Sequence, residues 1–291
     1  MTAGVAAAEV SFSGTAGIAF VDDNGKSLPG RDGMFVESYY DLDVAVSGTA
    51  DNGMTMSAGF DMGAGNKIDY DDDDALEAQG VDVGDADVTV SYLGWTLAVD
   101  QDGIDNLFDD DQAEDMSLSG SIGGLSVAVT SDLEHSHNSY KLGYTLGDLA
   151  LTFTGTNNDD GVSAVDKLDG GSASGISATY KMGDLTLSGA MSDESVDTED
   201  DTSVGFSYKM DTLTFSYTTI KPGKDADFGD EWDAKVAYAA GAIKASIAID
   251  EADATTMIAE YNLGGATAFA AMHDKPDTAN DLTTFGINFK F

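Results

Sequence analysis

The stretch DTLTFSYTTI, residues 211–220, decides the fold. Leu213, Phe215 and Tyr217 fall on one side of an extended chain, and Thr212, Thr214 and Ser216 fall on the other. Residues 9–20 repeat the pattern, with Val10, Phe12, Ile18 and Phe20 on one face and Glu9, Ser11 and Ser13 opposite. The last strand repeats it once more. Phe285, Ile287, Phe289 and Phe291 share a face, and Asn288 and Lys290 share the other.

Very short turns join these strands in pairs. They fall at 50–53, 93–94, 122–124, 146–148, 182–184, 210–211, 240–241 and 262–265, most of them around glycine, which supplies the positive φ a tight hairpin needs. Between the hairpins lie longer and more acidic segments, the longest at 64–86 and 156–172. Eight hairpins plus a first and a last strand give about 18 strands, with 16 as the alternative count. Short turns on one rim and long polar loops on the other predict an all-β fold, an antiparallel up-and-down barrel that crosses a membrane.

Composition agrees. The formal net charge is -40, which opposes nucleic-acid binding, and 42% hydrophobic content in regular alternation opposes disorder. No cysteine is present, so no disulfide scaffold holds the chain. No run approaches the ~20 apolar residues of a membrane helix, but a closed barrel crosses with short strands. Residues 1–8 (MTAGVAAA) end in Ala6, Ala7 and Ala8, an A-x-A cleavage pattern. They read as the remnant of a secretory signal, leaving 9–291 as a single barrel.

The apolar face of a membrane barrel meets lipid and the polar face lines a lumen; a soluble sandwich reverses this. Aromatics near strand ends favour the membrane: Tyr40, Tyr92, Trp95, Tyr140, Tyr144, Tyr180, Tyr208, Tyr238 and Tyr261. Parity then aims Asp41, Asp43, Asp61, Asp87 and Asp100 inward on the early strands. Lys141, Lys181, Lys209, Lys235, Lys244 and Lys290 point inward on the later ones. An acidic wall facing a basic wall would set a transverse field across the lumen.

Three stretches carry a family likeness. The opening Glu9-Val10-Ser11-Phe12-Ser13-Gly14 looks like the start of mature alphaproteobacterial porins. Residues 40–53 (YDLDVAVSGTADNG) resemble their second strand and first periplasmic turn. Residues 285–291 (FGINFKF) are similar to their closing strand, and Phe291 resembles the terminal signal read by the outer-membrane assembly machinery. The resemblance implies a homotrimer of water-filled barrels set among outer-membrane lipids and lipopolysaccharide, passing ions and small hydrophilic solutes. Two departures stand out. The family folds a long third loop into the pore, whereas the matching segment here, 101–115, is only about 15 residues. The family also carries an arginine cluster, whereas the sole arginine here is Arg31.

The acidic excess predicts mild cation selectivity. Asp71, Asp72, Asp73 and Asp74, and likewise Asp109, Asp110 and Asp111, offer the clustered oxygens that Ca²⁺ takes. Neither run has EF-hand spacing, and solvated loop charge is the plainer reading. No other cofactor is indicated. His135 and His137 share a very short loop and His273 lies in another, which suits exposed side chains better than a metal site. No nucleophile motif accompanies the serines, so the chain does not read as an enzyme. A substrate-selective channel of the same build and a secreted acidic surface or adhesion protein are the competing readings.

Overall fold

The computed structural model describes residues 8–22, 33–69, 77–80, 83–84, 86–108, 112–133, 137–157, 172–194, 201–221, 231–276 and 281–291. The proposed signal remnant (apart from Ala8), Arg31, His135 and both aspartate runs fall outside them.

Nineteen strands occur among the described residues. They are β1 (Glu9–Asp22), β2 (Phe35–Thr49), β3 (Thr55–Asp69), β4 (Glu77–Gly80), β5 (Asp87–Tyr92), β6 (Trp95–Asp105), β7 (Ala113–Ile122), β8 (Leu125–Ser131), β9 (Asn138–Leu146) and β10 (Leu149–Asn157). The series continues with β11 (Ser172–Met182), β12 (Leu185–Glu194), β13 (Asp201–Met210), β14 (Leu213–Lys221), β15 (Glu231–Ala240), β16 (Ile243–Asp250), β17 (Thr255–Asn262), β18 (Ala266–Asp274) and β19 (Leu282–Lys290). Every pairing is antiparallel, and β1 pairs with both β2 and β19, so the sheet closes on itself. β4 pairs only with the far end of β3, outside the ring, and the other strands make an 18-strand barrel.

Part of the 64–86 segment is therefore strand rather than loop: β3 runs on to Asp69 and β4 folds back along it. The sequence hides this because glycines and charges interrupt the alternation there.

Closure is tight. Thr15 to Asp22 of β1 pair with Thr283 to Lys290 of β19. The last residue extends the seam: the Gly14 N–H donates to the Phe291 carbonyl at 3.0 Å, and the Phe291 N–H donates back at 3.1 Å. The absence of a side chain matters at this seam. A Cβ on Gly286 would lie 2.2 Å from the Ile18 carbonyl oxygen, and one on Gly14 would lie 2.3 Å from that of Asp41. Phe20 and Phe285 stack across the outer side of the seam with centroids 5.2 Å apart.

The two faces divide as alternation requires. Phe12 opposes Val44, Leu97 opposes Leu118, and Phe206 opposes Tyr217, all on the outer side of the barrel. Near the short-turn rim, Tyr92 faces Trp95, Tyr144 faces Leu125, Tyr208 faces Leu185 and Tyr261 faces Ile243. These rings form one belt, and Tyr217 stacked near Trp232 at 6.3 Å marks the opposite edge of the apolar band. Rings with a polar tip sit well at the two boundaries between hydrocarbon and water. Among the described residues no helix is long and apolar enough to cross a membrane.

Candidate functional site

The inner face is mostly hydroxyl and charge. Ser57 meets Thr89, and Ser91 meets Thr96 at 2.8 Å, on facing strands of the inner wall. Hydroxyls opposite hydroxyls satisfy one another and still offer lone pairs to water.

The acids group on β2, β3 and β5. Asp43 directly opposes Asp61, and Asp43 also accepts a bond from the Ser13 hydroxyl at 3.0 Å. Asp41 is two residues from Asp43 on the same face, and Asp87 opposes Gly59, where it fills the space a side chain would need. Asp100 stands where the β6–β7 register breaks, between Val99 and Ile104, so strand parity stops assigning a face there.

The lysines share the inner face but not one height. Lys181, Lys209 and Lys244 each sit one residue from a short turn, and Lys290 sits one residue from the chain's end. Lys141 and Lys235 lie further up their strands. Lys244 pairs with Glu260 at 3.6 Å. Counting round the ring, β12–β15 lie across from β2, β3, β5 and β6, which sets Lys209 and Lys235 opposite the acids. Lys290 does not belong to that far wall. Thr15 pairs with both Lys290 and Asp41, so the base is two strands, about 10 Å, from the acid cluster. A basic wall is thus a looser arrangement than parity alone suggested.

The third long connection brings a larger surprise. Residues 100–103 bulge out of the β6–β7 ladder, with Asp102 at φ 52°. A bulge bends a strand and re-aims the chain beyond it. The segment after this one crosses to the inner wall of β9 and β10. The Asn106 amide donates to Thr156 Oγ1 at 3.0 Å and to Glu114 Oε1 at 2.7 Å, and the Leu107 N–H donates to Ser139 Oγ at 2.8 Å. A Cβ on Gly175 of β11 would touch the Phe108 ring at 3.4 Å. Short as it is, this connection folds inward. The shortness of 101–115 left open whether it reaches the lumen, and those contacts bring it there. Sequence reading missed Asn106 and Glu114, because Glu114 lies on the lipid-side parity of β7; the run Asp100–Gly103 was the available signal of a bulge.

A second departure is a dry patch on the inner face. Val21, Ala19, Phe269, Ala271 and Leu282 are buried together, with Phe35 and Ile258 packed against them. His273 lies beside it, within β18 rather than in a loop, buried and bonded through Nδ1 to the Thr256 hydroxyl at 2.9 Å. The inner face is therefore not polar throughout. Among the described residues no group of acids and histidines is arranged to hold a metal.

A family model described as Gram-negative porin matches residues 1–290. The chain belongs to the Gram-negative porins. Among solved structures, a mutant of the Rhodopseudomonas blastica porin superposes with a TM-score of 0.58 at 20% identity, over 98% of this chain and 100% of the other. A triple mutant of the same porin gives 0.57 at 20% identity with the same coverage. A structure concerned with asymmetric conductivity of engineered proteins gives 0.59 at 19% identity, over 97% of this chain and 100% of the other. Comparison with curated proteins gives no match. As an outer-membrane porin, the protein is a non-catalytic diffusion channel.

Proposed function

We propose that this porin passes ions and small hydrophilic solutes with mild cation preference, through a lumen crossed by a transverse field. The observation that carries the reading is the grouping of Asp41, Asp43, Asp61 and Asp87 on neighbouring strands, with Lys209 and Lys235 across the ring. Fixed opposite charges on facing walls align water and dipolar solutes and make the pore a poor solvent for apolar ones. The acidic excess of the chain adds a cation-concentrating potential at the outer mouth, screened within about 8 Å at physiological salt. The inward segment, with Leu107 and Phe108, narrows the passage on the β9–β11 side. Assembly as a homotrimer, and recognition of Phe291 by the assembly machinery, rest on the family likeness. Phe291 is placed at the closing seam.

Reversal potentials across a planar bilayer in a salt gradient test this. Asp41→Asn is expected to weaken cation preference, and Lys235→Glu to strengthen it, each by roughly twofold in dilute salt and less at 1 M, where the Debye length is about 3 Å. Unchanged ion preference in both variants would remove the wall field from the account. A saturable block of conductance by one class of solute would instead favour the substrate-selective reading.

A further inference from the structure

The inward segment is held by a buried clasp, and we infer that Asn106 and Glu114 are the positioning residues that set the width of the pore. The inference rests on the diffusion-channel reading above and concerns what holds the inward segment against the wall.

The clasp has an unusual make-up. Glu114 is 0% exposed, and Asn106 is 3% exposed. The Asn106 side chain uses both its ends. Its amide donates to Glu114 Oε1 and to Thr156 Oγ1 on the barrel wall, and its Oδ1 accepts from the Phe108 N–H at 2.9 Å. Its backbone N–H donates to the Gln112 carbonyl at 2.9 Å, which closes the inward segment on itself. One asparagine thus joins the segment's two limbs and ties both to β10. The wall beneath is equally dry: Thr130, Ser139 and Thr156 are buried, with Thr130 and Ser139 bonded to each other. Outside the dry zone a second carboxylate fixes the root. Asp115 accepts from the Asp102 N–H at 3.3 Å, within the bulge, and from the Leu133 N–H at 2.8 Å.

Burial of this kind makes the arrangement all-or-none. A carboxylate removed from water is tolerated only with its hydrogen bonds intact, and Glu114 Oε2 already has no hydrogen-bond partner among the described residues. Loss of the Asn106 amide takes away the side-chain donor of Oε1 as well. Rehydration of Glu114, whose side chain is wholly buried, then requires the segment to shift from the wall. Solvated loop charge would not behave this way; an exposed acid loses little when a neighbour is cut back.

The test is single-channel conductance of the full-length barrel in planar bilayers, with liposome swelling by uncharged sugars of increasing size. Asn106→Ala is expected to raise conductance about 1.5- to 2-fold, increase open-channel noise and admit larger sugars. Glu114→Gln keeps an acceptor for the Asn106 amide, and its conductance and size limit are expected to match the parent. Asn106→Ala joined to Glu114→Gln is expected to be no wider than Asn106→Ala alone. Folding is read independently from heat-modifiable gel migration. Should Asn106→Ala yield no folded barrel, Thr156→Val takes its place, with a smaller rise expected. A folded Asn106→Ala or Thr156→Val channel with the parent's conductance and size limit would overturn the clasp. So would a Glu114→Gln channel as wide as Asn106→Ala. A parent barrel that conducts no ions would instead defeat the diffusion reading on which the clasp rests.

Discussion

Phe206→Arg is expected to destabilise the barrel in lipid by about 2–4 kcal/mol, while Ser207→Arg, one residue along, costs close to nothing. The contrast comes from the register of β13. Phe206 opposes Leu187 on one side and Tyr217 on the other, and its ring lies 6.1 Å from that of Tyr217 on the outer face. Ser207 opposes Thr186 and Ser216 on the inner face. A guanidinium at position 206 must be dragged into hydrocarbon or pull water and headgroups toward it. At 207 the same group stays hydrated, and its charge is expected to shift ion preference toward anions. Urea unfolding of barrels reconstituted in vesicles measures the first effect, and reversal potential measures the second. Equal destabilisation at both positions would mean that the two faces do not meet different solvents.

The second large effect is expected at the seam. Gly286→Val would push a branched side chain against the Ile18 carbonyl and against the Phe269 ring, whose Cζ lies 2.8 Å from the position a Cβ would take. Overpacking of this kind costs about 1–3 kcal/mol or more where the backbone cannot give. Here it cannot, because β19 and β1 are the pairing that closes the ring. The expected result is a barrel that runs at one gel position whether heated or not, having lost its compact form. Gly48→Ala is the control. Nothing lies within 4 Å of the space its side chain would fill, and closure is expected to be unaffected. A Gly286→Val barrel that stays heat-modifiable and conducts normally would show that the seam is looser than its contacts suggest.

The alternation of Leu213, Phe215 and Tyr217 was legible in sequence because lipid and water impose the same two-residue period on nearly every strand. The short turns were legible for an equally local reason: a two-residue hairpin needs positive φ, and Gly94, Gly147 and Gly183 supply it. Reading a charge such as Asp43 or Lys235 onto one face uses the same period and nothing more. It says nothing of height, which depends on strand tilt and on where each turn falls. Nor does it say how far round the ring two strands lie, which is why Lys290 is near Asp41 instead of across from it.

Where the period breaks, the sequence stopped being informative. Three extra residues in the Asp100–Gly103 bulge turn the next segment inward, and Glu114 changes from a residue with lipid-side parity to a wholly buried anchor. The partners that make this stable, Ser139 and Thr156, are remote in sequence and look like ordinary lumen hydroxyls. The inner cluster of Val21, Phe269 and Leu282 was hidden for a related reason. Its members come from three strands that meet only when the ring closes.

The natural chain has no cysteine, so single cysteines can be placed one at a time from position 203 to position 208 of β13 in otherwise unmodified protein. Their reaction with a small, charged, membrane-impermeant thiol reagent in vesicles tests which side of the wall is wet. The account predicts fast labelling at 203 and 207 and little or none at 204, 206 and 208; at 205 the Ser188 hydroxyl crowds the new side chain. Labelling that is uniform along the strand, or fast at 204, 206 and 208, would contradict it.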